Sequence, residues 1–113
     1  MPIFITQGRY SQQAIKGMAD NPEDRAEPVR QLFERAGGRV LNYYMTFGEH
    51  DFLIVSEVPD EKTMLSILAV AGYGGGVTDL KTSLAMTTAQ AKEAFAAAKG
   101  AVGQFRSAGQ AAS

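Results

Sequence analysis

The chain has 113 residues, 45% hydrophobic and 20% charged, enough for one packed core and too apolar for a disordered chain. Lys and Arg number 11 against 12 Asp and Glu, so the net charge of -1 offers no electrostatic reason to expect a nucleic-acid partner. The absence of cysteine excludes disulfides, thiol nucleophiles and thiolate metal sites.

The first six residues, Met1 to Thr6, lack the basic and long apolar regions of a signal peptide. The longest mostly apolar run, residues 64–71, is far short of a bilayer span, so a cytoplasmic protein without membrane contact is expected.

Residues 2–10 open with β-formers and predict a strand, after which Ser11 offers an N-cap for a short helix stopping near Asn21-Pro22. Ala26, Val29, Leu32, Phe33 and Ala36 then recur at helical spacing. Pro28 is tolerated only near the start of that helix, and Gly37-Gly38 suits a left-handed end. Residues 39–46 and 51–58 are β-rich and flank Phe47-Gly48-Glu49-His50, where Gly48 suits the first central position of a two-residue hairpin turn.

Strict alternation in that hairpin would put Leu41, Tyr43, Met45 and Phe47 on the core face with Phe52 and Ile54. Val40, Asn42, Tyr44 and Thr46 would then share the opposite face with Asp51, Leu53, Val55 and Glu57. Asp60 caps a following helix that carries Met64, Leu65, Ile67, Leu68, Val70 and Ala71 and ends in the glycines of 72–76. A fourth strand is predicted over 77–86. Thr87 or Thr88 caps an Ala-rich helix over 89–99, with Phe95 its only large apolar side chain, and the tail from Gly100 to Ser113 is compositionally loose.

The order strand, helix, strand, strand, helix, strand predicts an α+β fold: a ferredoxin-like βαββαβ sandwich, with helices on one face of a four-stranded antiparallel sheet. The domain is expected over residues 1–88, with 89–113 forming the extra helix and tail. The other sheet face has no cover, and with Tyr44, Leu53 and Val55, and Phe4 and Tyr10 as candidates to join them, it reads as an interface or a ligand groove.

Several segments together resemble the GYD-domain family: Phe4-Ile5-Thr6, Gly8-Arg9-Tyr10-Ser11, Ala14-Ile15-Lys16, Gly37-Gly38-Arg39-Val40, Tyr44-Met45-Thr46-Phe47-Gly48-Glu49 and Asp51-Phe52. The likeness spans roughly residues 2–88. Gly48, Glu49 and Asp51 match the family's signature, whereas His50 stands where the signature has Tyr, so no role of that phenol ring carries over. The resemblance implies a ferredoxin-like domain akin to dimeric α+β barrels, in which two sheets meet face to face. It implies no activity, because proteins of that fold include cofactor-free monooxygenases, isomerases, stress-responsive barrels and ligand-sensing domains.

Few residues carry chemistry. His50 is the only histidine, between Glu49 and Asp51, but strand neighbours point to opposite faces, which favours a polar surface turn at the rim of any site. On the uncovered face Tyr44, Asp51 and Lys81, with Tyr10 at the wall, would surround one concave volume able to orient a small carbonyl or phenolic ligand. Tyr43 is read as a core residue. One histidine and scattered carboxylates make no metal site, and the glycines of 72–76 follow a helix, the reverse of a phosphate loop, so no cofactor is expected. The leading reading is a non-enzymatic homo-oligomeric module for assembly or small-molecule binding. A cofactor-independent enzyme acting on a small aromatic or carbonyl compound is the alternative.

Overall fold

A computed structural model describes residues 1–110. Strand β1 (Ile3–Tyr10) leads into α1 (Gln12–Asp20) and α2 (Ala26–Arg35), then β2 (Arg39–Met45) and β3 (Phe52–Glu57). Helix α3 (Glu61–Tyr73), β4 (Val77–Ala85) and α4 (Thr88–Lys99) follow. The strands form one antiparallel sheet in the order β2-β3-β1-β4, so the first and third strands are central, as in a ferredoxin-like sandwich.

The predicted helix ends have their expected chemistry. The Ser11, Asp60 and Thr87 side chains accept hydrogen bonds from the backbone N–H groups of Ala14, Thr63 and Gln90, satisfying donors orphaned at each N-terminus. Pro28 falls in the first turn of α2, where no intrahelical N–H bond is lost. That helix ends with Gly37 at φ +87°, where Gly38 N–H donates to Phe33 O and Gly37 N–H to Glu34 O. Gly38 is needed for a second reason: an added Cβ would lie 2.6 Å from the Glu57 carbonyl oxygen.

The core lies between the sheet and α2 and α3. Phe4, Phe52, Ile54 and Val58 from the sheet side meet Phe33 of α2 and Met64 and Ile67 of α3. Burial of these large apolar side chains is the dominant stabilising term, each contributing about 1.5–3 kcal/mol.

Alternation in β2 departs from the expected pattern at one point. A bulge between Val40 and Asn42 shifts the pairing with β3, so Val40 packs against the core and Leu41 is exposed, the reverse of strict period two. Beyond the bulge Tyr43 pairs with Ile54 and Tyr44 with Leu53, and the faces expected for both tyrosines are restored. The hairpin is also longer than a two-residue turn. Thr46 N–H donates to Asp51 O around a four-residue loop, Gly48 takes φ +102°, and Phe47, expected in the core, is fully exposed beyond the strand.

Helix α4 carries a complete capping box but buries no side chain. The Cα radius of gyration is 19.2 Å, against about 13 Å for a compact domain of this length, and the longest extent is 68 Å. Residues 101–104 continue α4 as turns. The last three residues of the predicted loose tail, 111–113, lie outside the described part of the chain. Among the described residues no helix is long and apolar enough to cross a membrane.

Candidate functional site

The predicted constellation does not converge within one chain. Tyr44 lies on β2 and Lys81 on β4, the two outer strands, on the open face of the sheet but about 14 Å apart at ordinary strand spacing. Tyr10 and Phe4 belong to the helix-covered face. Phe4 is buried in the core and Tyr10 packs against it, while Ile3, Ile5, Gln7 and Arg9 alternate onto the open side.

Asp51 precedes β3 and turns back toward β1. Its N–H donates to Gly8 O (2.8 Å) and its carboxylate accepts from Tyr10 N–H (2.9 Å). Arg9 Nε donates to Glu49 O (2.7 Å) in the same loop. The matched Glu49 and Asp51 positions therefore pin the β2–β3 hairpin to the first strand. His50 is half-buried in that loop, where its carbonyl oxygen accepts from Thr46 Oγ1 (2.8 Å). Asp51→Ala is expected to lower stability by about 1–3 kcal/mol in urea unfolding, because Tyr10 N–H loses a charged acceptor. Asp51→Asn, which keeps an acceptor, should fall between; an unchanged Asp51→Ala midpoint would remove this role.

Two places remain as candidate sites. The first is the open sheet face. Ile3 and Ile5 of β1 sit beside Leu53 and Val55 of β3 to form an aliphatic centre, rimmed by Gln7, Lys81, Asn42, Tyr44 and the Arg39–Glu57 pair (2.6 Å).

The second is a cleft of about 300 Å³ beneath the helices, between α2 and α3. Thr6, Phe52, Ile54 and Leu80 form its floor, with Leu32 of α2 and Ile67 of α3 among its walls. At one end the Tyr10 and Tyr43 hydroxyls are 2.6 Å apart and Arg25 stands at the start of α2. The Phe52 ring supports both phenols, 5.0 Å from Tyr10 and edge-on to Tyr43 at 6.3 Å. Burial, then the hydrogen bond to Tyr43, pushes the Tyr10 phenol well above its usual range, so it stays neutral.

Of the cleft's polar residues, Tyr10 alone was expected to line a site. Tyr43 is expected in the core, and it does pack against it, partly buried, with its hydroxyl bonded to that of Tyr10. Arg25 carried no recognisable signal, since an arginine before a helix is ordinary surface chemistry.

The backbone resembles known structures at low sequence identity, which establishes the fold alone. TTHA0845 from Thermus thermophilus aligns with a TM-score of 0.50 and 15% identity over 77% of this chain and 95% of that one. An AsnC family transcriptional regulator from Agrobacterium tumefaciens aligns with a TM-score of 0.52 and 19% identity, covering 76% of this chain and 50% of that one. No curated protein matches in sequence. The sequence model of the GYD domain, however, matches residues 4–95, a span that takes in all of the sheet but Ile3, both helices packed on it and the hairpin-pinning Asp51, and the chain belongs to the GYD-domain family.

Proposed function

We propose that this chain is a non-enzymatic cytoplasmic module that self-associates through the open face of its sheet and encloses a small molecule. The observation that carries the reading is the composition of that face, an aliphatic centre of Ile3, Ile5, Leu53 and Val55 inside a polar rim. Interfaces between subunits have this anatomy, and a half-buried apolar patch on an uncovered sheet face favours a partner over water. A second copy laid sheet to sheet would bury the centre and leave the rim hydrated. The fold shared with the structural neighbours does not bear on activity, and the net charge of -1 argues against a nucleic-acid role.

The enzymatic alternative requires Tyr44, Asp51 and Lys81 around one volume. Their placement on different parts of the chain withdraws that support.

Light scattering coupled to gel filtration tests the assembly. At least a dimer is expected at micromolar concentration, and a well-behaved monomer there would overturn the reading.

The proposed assembly extends to helix α4. At 12 residues it is at the margin of stability for an isolated helix, and Ala91, Phe95, Ala98 and Val102 form a seam spaced by four, three and four residues. A large side chain from one copy can seat over a small one from another, which suits a self-complementary contact. A chain ending at Thr88 is therefore expected to melt within a few degrees of the full chain, because α4 contributes nothing to the core, and to dissociate at higher protein concentration. Unfolding of the shortened chain would show that residues 1–88 are not a self-sufficient domain.

A further inference from the structure

The cleft between α2 and α3 specifies its occupant more narrowly than the open face does, and the argument rests on the small-molecule half of the function proposed above. Its interior is apolar and its volume, about 300 Å³, is at the lower end for small-molecule sites, room for about one ring with a short side chain. Arg25 is the single charged residue lining it. Thr6 on the floor shares a 3.0 Å hydrogen bond with Thr82, and the polar side chains gathered at one end of the cleft are Arg25 and the two phenols.

The Tyr10 and Tyr43 hydroxyls lie 2.6 Å apart, and whichever donates to the other leaves the acceptor's own hydroxyl proton free to donate. For Tyr10 the nearby acceptor is Met45 Sδ at 3.5 Å, a weak one. The guanidinium of Arg25 is bound to Glu23 Oε1 (2.8 Å), a partly exposed pair two residues apart in sequence, which contributes little and is readily exchanged for another carboxylate. The polar end of the cleft therefore offers a spare hydroxyl donor and a guanidinium, and the lining itself holds no carboxylate, Glu23 lying outside it on Arg25.

We infer that the cleft binds a small apolar monocarboxylate, its ring or hydrocarbon over Phe52 and Ile54 and its carboxylate at Arg25 and the Tyr10–Tyr43 pair. Neutral analogues lose the charged hydrogen bonds, and α-amino acids bring an ammonium group into a cleft whose own lining carries no carboxylate.

The test uses the full chain and three probes of one size: 3-phenylpropionate, its amide, and L-phenylalanine. Calorimetry gives the affinities, and backbone amide shifts in nuclear magnetic resonance locate the site. The acid is expected to bind about tenfold or more tighter than either of the others, with shifts at Tyr10, Tyr43 and Ile67. Arg25→Gln and Tyr43→Phe should each weaken the acid by about tenfold, and Arg25→Gln should weaken the acid by a larger factor than it weakens the amide. Both substitutions keep most of the packing, and the melting temperature of each is measured alongside.

Equal affinity for acid and amide would overturn the carboxylate assignment while leaving small-molecule binding intact. Shifts confined to the open sheet face would overturn the location and likewise leave binding intact. No shift with any of the three overturns the inference, and the small-molecule reading falls with it only if indole, a neutral aromatic solute, also leaves the cleft amides unmoved.

Discussion

Phe52→Ala is expected to destabilise the chain by about 3–5 kcal/mol, the range for removing a buried aromatic ring from a core. Phe52 is 3% exposed and serves several neighbours at once. Its ring supports Tyr10 and Tyr43, joins the core with Ile54 and Met64, and fills the space above Gly8. A Cβ built on Gly8 would lie 2.7 Å from Phe52 Cζ and 2.8 Å from Leu80 Cδ2, so the glycine and the ring are a matched pair.

Gly8→Ala alone should therefore cost about 1–3 kcal/mol through overpacking. In the Phe52→Ala background one of its two clashes is gone, and the penalty should shrink by about 0.5–3 kcal/mol, the range of coupling between residues in contact. Urea denaturation of the four chains measures both numbers. A loss below about 1.5 kcal/mol for Phe52→Ala, well under the expected range, would show that the ring is not the keystone of this face, and strict additivity with Gly8→Ala would show that the two do not share space.

In the proposed sheet-to-sheet assembly, Val55→Glu is expected to leave a monomer. Val55 pairs with Ile5 and Asn42 at the middle of the open face, where a carboxylate on an isolated domain can remain hydrated. In a sheet-to-sheet dimer the same carboxylate would be buried without a partner, and two-fold symmetry would bring it in twice. Uncompensated buried charge costs about 3–5 kcal/mol, so association should weaken by more than about a hundredfold. Light scattering on the two proteins reads this directly. A Val55→Glu chain that stays assembled while keeping its melting temperature would move the interface away from the open face.

Much of the fold was legible from local chemistry. Ser11, Asp60 and Thr87 act at helix starts, and Gly37-Gly38 at a helix end, because a cap is decided by a few adjacent residues. Alternation placed Phe52 and Ile54 inward and Leu53 and Val55 outward, since side chains in a regular strand change sides at every residue. The GYD resemblance rested on short segments of this local kind, and the family match extends over them.

The site was less legible. The Val40–Asn42 bulge exchanged the faces of Val40 and Leu41, and nothing in a stretch of β-formers marks where an extra residue will be accommodated. Tyr10 was assigned to the open face because its side depends on where β1 begins its pairing, and that register is set by β3 and β4, more than forty residues away in sequence. Asp51 was read as a ligand contact, yet its partners are the Tyr10 N–H and the Gly8 carbonyl, backbone groups that no side-chain pattern reveals. Composition and local spacing thus determined the class of fold, the helix boundaries and the β3 half of the open face's apolar centre, Leu53 and Val55, whereas Ile3 and Ile5 of β1 were not placed there. Only the tertiary structure decided that Tyr10, Tyr43 and Arg25 meet at one end of a cleft, because that meeting depends on sheet register and on the gap left between two helices, both of them non-local.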